Sequence, residues 1–141
     1  MKIRQGFVSN SSSSSFLLAI RDDVTFEQVA SQCGPFSWLA KELVDKCQSL
    51  AVYTGGKQTY TELMERARLE YGYANYTMEI FLEDEAWLSD WALELSSGEK
   101  NGWSYYHGYA SYNEGDGIEM MIGNRSGEIL KLDGFALESR M

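Results

Sequence analysis

Five consecutive apolar residues, Phe16-Leu17-Leu18-Ala19-Ile20, stop abruptly at Arg21-Asp22-Asp23. A run this short with no polar face is best read as a buried strand. The rest of the chain therefore has to supply what covers it. Helices come first. Thr25-Phe26-Glu27-Gln28 has the form of a capping box, with Thr25 as N-cap and Gln28 reaching back, and the helix it opens ends near Gly34. Pro35 and Ser37 open a second, in which Trp38, Leu39, Leu43, Val44 and Cys47 recur every three or four residues and build one apolar stripe. Ala51-Val52-Tyr53, before Thr54-Gly55-Gly56, reads as a short strand or a loop. Thr59-Tyr60-Thr61-Glu62 is a second capping box, opening a helix through Leu63, Ala67, Leu69 and Glu70 that stops at Gly72.

The rhythm then changes. Tyr76, Met78, Ile80 and Leu82 alternate with Thr77, Glu79, Phe81 and Glu83, which is the period of a strand with one polar face. From Asp84 to Leu95 the residues Trp87, Trp91 and Leu95 repeat every four, so a helix with Asp84 as N-cap is preferred. The competing reading is a strand running into the hairpin signal Asn101-Gly102. Trp103 to Tyr112 is aromatic and strand-like, with Trp103, Tyr105, His107 and Tyr109 on one face and Tyr106 and Tyr112 on the other. Gly117 to Ile122 and Glu128 to Leu132, joined by Asn124-Arg125-Ser126-Gly127, read as a β-hairpin. The class expected is α+β. An antiparallel sheet, mostly from the C-terminal half plus an N-terminal strand, would carry three or four helices on one face of a single domain spanning residues 1–141.

Charge narrows the function classes. Asp and Glu outnumber Lys and Arg by 21 to 12, a formal charge of −9. Direct nucleic-acid binding needs a basic footprint to displace counterions, and an anionic membrane surface needs the same. Neither is expected. Met1-Lys2-Ile3-Arg4 has the look of a signal-peptide start, but Phe16 to Ile20 is too short for the apolar region of one. Cys33 and Cys47 are expected to be reduced thiols in the cytoplasm, and the sequons at Asn10 and Asn75 to carry no glycan.

Catalytic constellations are weak. His107 is the only histidine, set in an aromatic strand, and no Gly-x-Ser-x-Gly elbow accompanies it. Asn113-Glu114-Gly115-Asp116-Gly117 has the outline of a calcium loop, but the twelfth position holds Asn124 in place of the glutamate an EF-hand requires. Asp133-Gly134-Phe135 matches a kinase tripeptide by letter only. No catalytic residue, metal or cofactor is assigned. Abundant aromatics beside acids instead suit a protein interface facing a basic partner, and the candidates are Glu83, Asp84, Glu85, Trp103, Tyr105, Tyr106, Glu114 and Asp116.

The serines Ser11 to Ser15 lie between Phe7-Val8 and Phe16, and read as a loop joining two short strands. Consecutive backbone N–H groups there, helped by Arg4, would cradle an anion, giving Arg4, Asn10, Ser11, Ser12 and Ser13 as ligand-binding candidates. A nucleotide held that way would stack its base on Trp103 or Tyr105. As a string, Met1 to Phe16 resembles the opening of a scattered group of small phage and prokaryotic proteins that begin Arg-x-Gly-Phe-Val-Ser-Asn, then a serine run and Phe. It covers about a ninth of the chain and transfers no catalytic residue. The resemblance implies a phage-associated accessory protein in the host cytoplasm. With the acids and aromatics, it leads to the expectation of a protein that binds and inhibits a host protein, such as a CRISPR-Cas nuclease of antiviral defence. A small nucleotide-binding or nucleotide-sequestering module is the alternative.

Overall fold

A computed structural model describes residues 13–140 of the chain. The apolar run lies in β1 (Ser13–Arg21), and the elements that follow are α1 (Phe26–Gln32), α2 (Ser37–Ala51), α3 (Tyr60–Glu70), α4 (Met78–Asp84), α5 (Trp87–Leu95), β2 (Trp103–Ser111), α6 (Gly117–Asn124), β3 (Gly127–Leu132) and β4 (Phe135–Arg140). The strands make one antiparallel sheet in the order β2-β1-β4-β3. The class is α+β, as the sequence predicts.

β1 is an inner strand, and this explains its composition. It pairs with β2 on one side, Leu17 opposite His107, and with β4 on the other, Leu18 opposite Leu137. Leu17 and Ala19 face a cluster built with Leu63, Met64, Phe81, Leu88 and Trp91 from α3, α4 and α5. Phe16, Leu18 and Ile20 face the opposite cluster, built with Val29, Leu43, Val44, Cys47 and Ile122 from α1, α2 and α6. A strand buried on both faces has no polar positions to alternate. The one-sided arrangement expected from sequence is therefore corrected: six helices among the described residues cover both faces, three on each.

Both capping boxes form as the sequence predicts. Thr25 and Gln28 exchange hydrogen bonds between side chain and backbone, and so do Thr59 and Glu62. The helix over Trp87, Trp91 and Leu95 also forms, although Ala86 is its N-cap and Asp84 ends the helix before it. Ala51 closes α2, and Val52–Thr54 is a short 3-10 turn.

Two predicted strands are helices. Around Tyr76 to Leu82 the Thr77 side chain accepts from Ile80 N–H and starts α4, which buries Phe81, the residue that alternation puts on the polar side. Seven residues satisfy both periods, and the cap decides between them. Asp116 likewise accepts from Glu119 N–H and starts α6 where a strand is expected over Gly117 to Ile122. The hairpin is consequently one segment later, β3 to β4, turning at Asp133-Gly134. Gly134 has φ 75, and a Cβ there would lie 2.7 Å from Val24 Cγ2, so the turn needs glycine twice over. The serine run is corrected in part. Ser13, Ser14 and Ser15 are not a connecting loop but the first residues of β1, with Ser14 Oγ donating to Gly123 O. Phe7-Val8, Arg4, Asn10, Ser11 and Ser12 lie outside the described residues.

Candidate functional site

Serine and histidine do meet. Ser15 and His107 occupy the same face of neighbouring strands, and Ser15 Oγ lies 3.1 Å from His107 Nε2. A nucleophile and a base would look like this, so the group behind the imidazole decides the matter. That group is Arg66 of α3, whose Nη2 sits 3.0 Å from His107 Nδ1. A guanidinium is always protonated and only donates, so Nδ1 must be the accepting nitrogen. The remaining proton is then on Nε2, which donates to Ser15 Oγ. A base needs a lone pair there, as in a Ser-His-Asp triad, where a carboxylate holds the proton on the far nitrogen. Here the order is inverted. Arg66 Nη1 in turn donates to Glu70 Oε2 at 2.7 Å, and His107 is fully buried. The chain Ser15–His107–Arg66–Glu70 ties β1 and β2 to α3, with His107 a donor rather than a base toward Ser15.

Two further reactive groups are held in their protonated forms. Burial pushes the Cys47 thiol far above its ordinary range, so it stays protonated. The Tyr109 phenol is held up first by burial, then by Tyr71 and Glu70 beside it. Among the described residues no group of three or more His, Cys, Asp or Glu is placed to hold a metal ion, and no helix is long and apolar enough to cross a membrane.

The partner-binding candidates separate into two sets. Trp103, Tyr105 and Tyr106 are 7%, 0% and 8% exposed and belong to the two cores. Their polar atoms are engaged inside: Trp103 Nε1 donates to Glu99, Tyr105 Oη to Ala92 O, and Tyr106 Oη receives Gln48 Nε2. As anchors for a partner they are corrected. A strand covered on both faces looks, from sequence, like a surplus of aromatics. Asp116 caps α6 and pairs with Lys46 Nζ at 2.6 Å, while Glu114 stands exposed in the loop before it. Ser13 is half-buried at the start of β1.

Glu83, Asp84 and Glu85 remain, and they close an exposed platform that strand periodicity alone does not bring together. Its frame is Arg68 of α3, whose Nη1 donates to the carbonyls of Tyr73 at 2.8 Å, Ala74 at 3.3 Å and Tyr76 at 2.8 Å. One guanidinium thereby fixes the loop between α3 and α4. Tyr73 packs edge-on against buried Phe81, with 5.4 Å between ring centroids, and touches Tyr76 at 5.6 Å. Its hydroxyl donates to Asp84 at 3.3 Å and Glu85 at 3.4 Å. Burial first, then those two carboxylates, raise the Tyr73 phenol above its usual range. Tyr76 and, one turn into α4, Ile80 are left 54% and 42% exposed. The signal that finds the platform is Thr77: a threonine three residues before Ile80 marks a helix start, which places Tyr76 in the preceding loop. No family model, curated protein or solved structure matches the chain.

Proposed function

We propose that the protein is a phage-associated accessory protein that acts in the host cytoplasm by binding and inhibiting a host protein, a component of antiviral defence such as a CRISPR-Cas nuclease. The observation that carries the binding reading is the platform at α4. Tyrosine anchors presented on a pre-ordered loop cost little entropy to dock, and they are the residue type over-used at interface centres. Tyr76 and Ile80 are such exposed groups, and Arg68 has already fixed the backbone beneath Tyr76. The inverted hydrogen-bond order at His107 favours binding over hydrolysis as the mode of action. The phage association rests on the opening Met1 to Phe16. The nucleotide alternative loses its stacking residues, since Trp103 and Tyr105 are core side chains.

The test is affinity capture from host lysate at physiological salt, with tagged wild type beside a Tyr76→Ala/Ile80→Ala double variant. A specific host protein retained by wild type and released by the variant is the expected outcome. Retention of no host protein would sink the reading. So would a captured protein indifferent to both substitutions.

A further inference from the structure

The buried chain Ser15–His107–Arg66–Glu70 holds its imidazole in one protonation state. His107 is fully buried, and both ring nitrogens are engaged: Arg66 Nη2 donates to Nδ1 at 3.0 Å, and Nε2 donates to Ser15 Oγ at 3.1 Å. A second proton could go only on Nδ1. There it would point an N–H at the N–H of a guanidinium that cannot give up its own. The hydrogen bond would be lost, and two cations would stand 3.0 Å apart where water does not reach the ring. Histidine is also the side chain whose ordinary titration falls closest to neutral pH.

The groups around the ring are committed elsewhere. From α3, Glu70 is held by Arg66 at 2.7 Å. From β2, the Tyr109 ring stands edge-on to the imidazole, 5.3 Å between centroids, and its phenol keeps its proton beside Tyr71. From β1 the neighbour is the neutral Ser15 hydroxyl. On β4, Glu138 lies across Leu17 from His107 and turns to Trp91 Nε1 and Arg140, and Arg140 also pairs with Glu94 of α5. The chain fastens more than one contact, because α3 also carries Arg68, whose guanidinium fixes the loop leading to α4. We propose that this chain is an acid-sensitive latch: neutral His107 fastens α3 to the sheet, and protonation of His107 releases it. Since β1 is shared by both cores, the release is read in the stability of the whole fold.

His107 is the only histidine, so its titration can be read without interference from another. In the unfolded chain an imidazole charges around its ordinary value of about 6.5, well above the carboxylates. A proton taken up by the unfolded chain and refused by the fold favours unfolding. The stabilising contribution is therefore complete above about 6.5 and is lost as the pH falls. The experiment measures the urea unfolding equilibrium of the full chain from about pH 7.5 to 5.5 in wild type, His107→Gln and Arg66→Gln, and follows the wild-type imidazole by NMR. The folded-to-unfolded ratio of wild type should fall about tenfold over that window, one proton being taken up per unfolding event. His107→Gln, which does not titrate, should stay within about twofold. Arg66→Gln offers an amide oxygen that can accept from a protonated Nδ1, and should lose most of the dependence. The imidazole resonances of folded wild type should keep their neutral positions down to the acid end. A dependence that survives His107→Gln would overturn the proposal by placing the sensor elsewhere. The same slope in Arg66→Gln would mean that burial alone keeps His107 neutral, and overturns the latch. So would a flat wild-type profile, or an imidazole that titrates at its ordinary value while the chain stays folded. Should neither variant fold, the wild-type profile and its imidazole titration decide alone.

Discussion

Asp116 shows how one carboxylate in this acidic chain becomes structural while others stay available. Its Oδ1 accepts Glu119 N–H at 2.9 Å and its Oδ2 meets Lys46 Nζ at 2.6 Å. The hydrogen bond from Lys46, then that from Glu119 N–H, hold the Asp116 carboxyl below its ordinary 3.8, and the same pair raises Lys46. An acid depressed in the folded state stabilises the fold above its unfolded value, and that contribution is lost as the pH falls through the folded value. For the raised lysine the contribution is complete below its unfolded value and is lost as the pH rises through the folded one. Asp116 is about half exposed, so solvent screening keeps the effect small. Asp116→Asn keeps an N-cap oxygen and removes the charge. Thermal midpoints across pH should show wild type above Asp116→Asn at neutral pH, with the two curves converging as the pH drops below 3.8. A constant gap down to strong acid would mean that the ion pair contributes nothing and only cap geometry differs.

At the scale of elements, α4 is where platform and fold depend on one residue. Thr77 is its N-cap, and with seven residues α4 has few internal hydrogen bonds to spare. Thr77→Ala should cost about 0.5–2 kcal/mol of global stability, the usual range for losing a threonine cap, and Thr77→Ser should recover most of it. Hydrogen exchange should speed up most at the α4 amides, Ile80 first, because Ile80 N–H is the donor that loses its acceptor. Uniform acceleration across the chain would show that the cap acts only through global stability. The same element marks the limit of what is legible in the sequence. Capping boxes at Thr25 and Thr59 are readable because each carries a reciprocal partner three residues on. Thr77 caps alone, and Asp116 has Glu119 three residues on but Glu119 turns its side chain to Ser111 N–H, so the periodicity of short apolar stretches outweighs both caps. Asp133-Gly134 is a readable hairpin turn, masked by its chance match to another motif. Of the interface candidates, Glu83, Asp84 and Glu85 stand at the platform; Trp103, Tyr105 and Tyr106 do not, because composition cannot tell an aromatic core strand from an aromatic surface.

For the whole molecule the deciding feature is that β1 belongs to both cores. Leu17 and Ala19 serve the side of α3, α4 and α5, and Phe16, Leu18 and Ile20 serve the side of α1, α2 and α6. Neither layer can loosen without exposing one face of the same strand, so the two should unfold together. The residue types provide separate reporters. Trp87, Trp91 and Trp103 all lie on the first side, whereas Cys47 is fully buried on the second. In a Cys33→Ser background, Cys47 labelling reads the second layer alone while tryptophan fluorescence reads the first, Trp38 being already 61% exposed. Urea titrations followed by the two signals should share one midpoint. Leu17→Ala, which removes a fully buried leucine from the first side, should lower both midpoints together, by the equivalent of about 2–5 kcal/mol. Loss of tryptophan signal with Cys47 still protected would show two layers folding independently. β1 would then be a shared wall rather than the strand that couples them, and a partner docked at α4 could not stabilise the far side of the sheet.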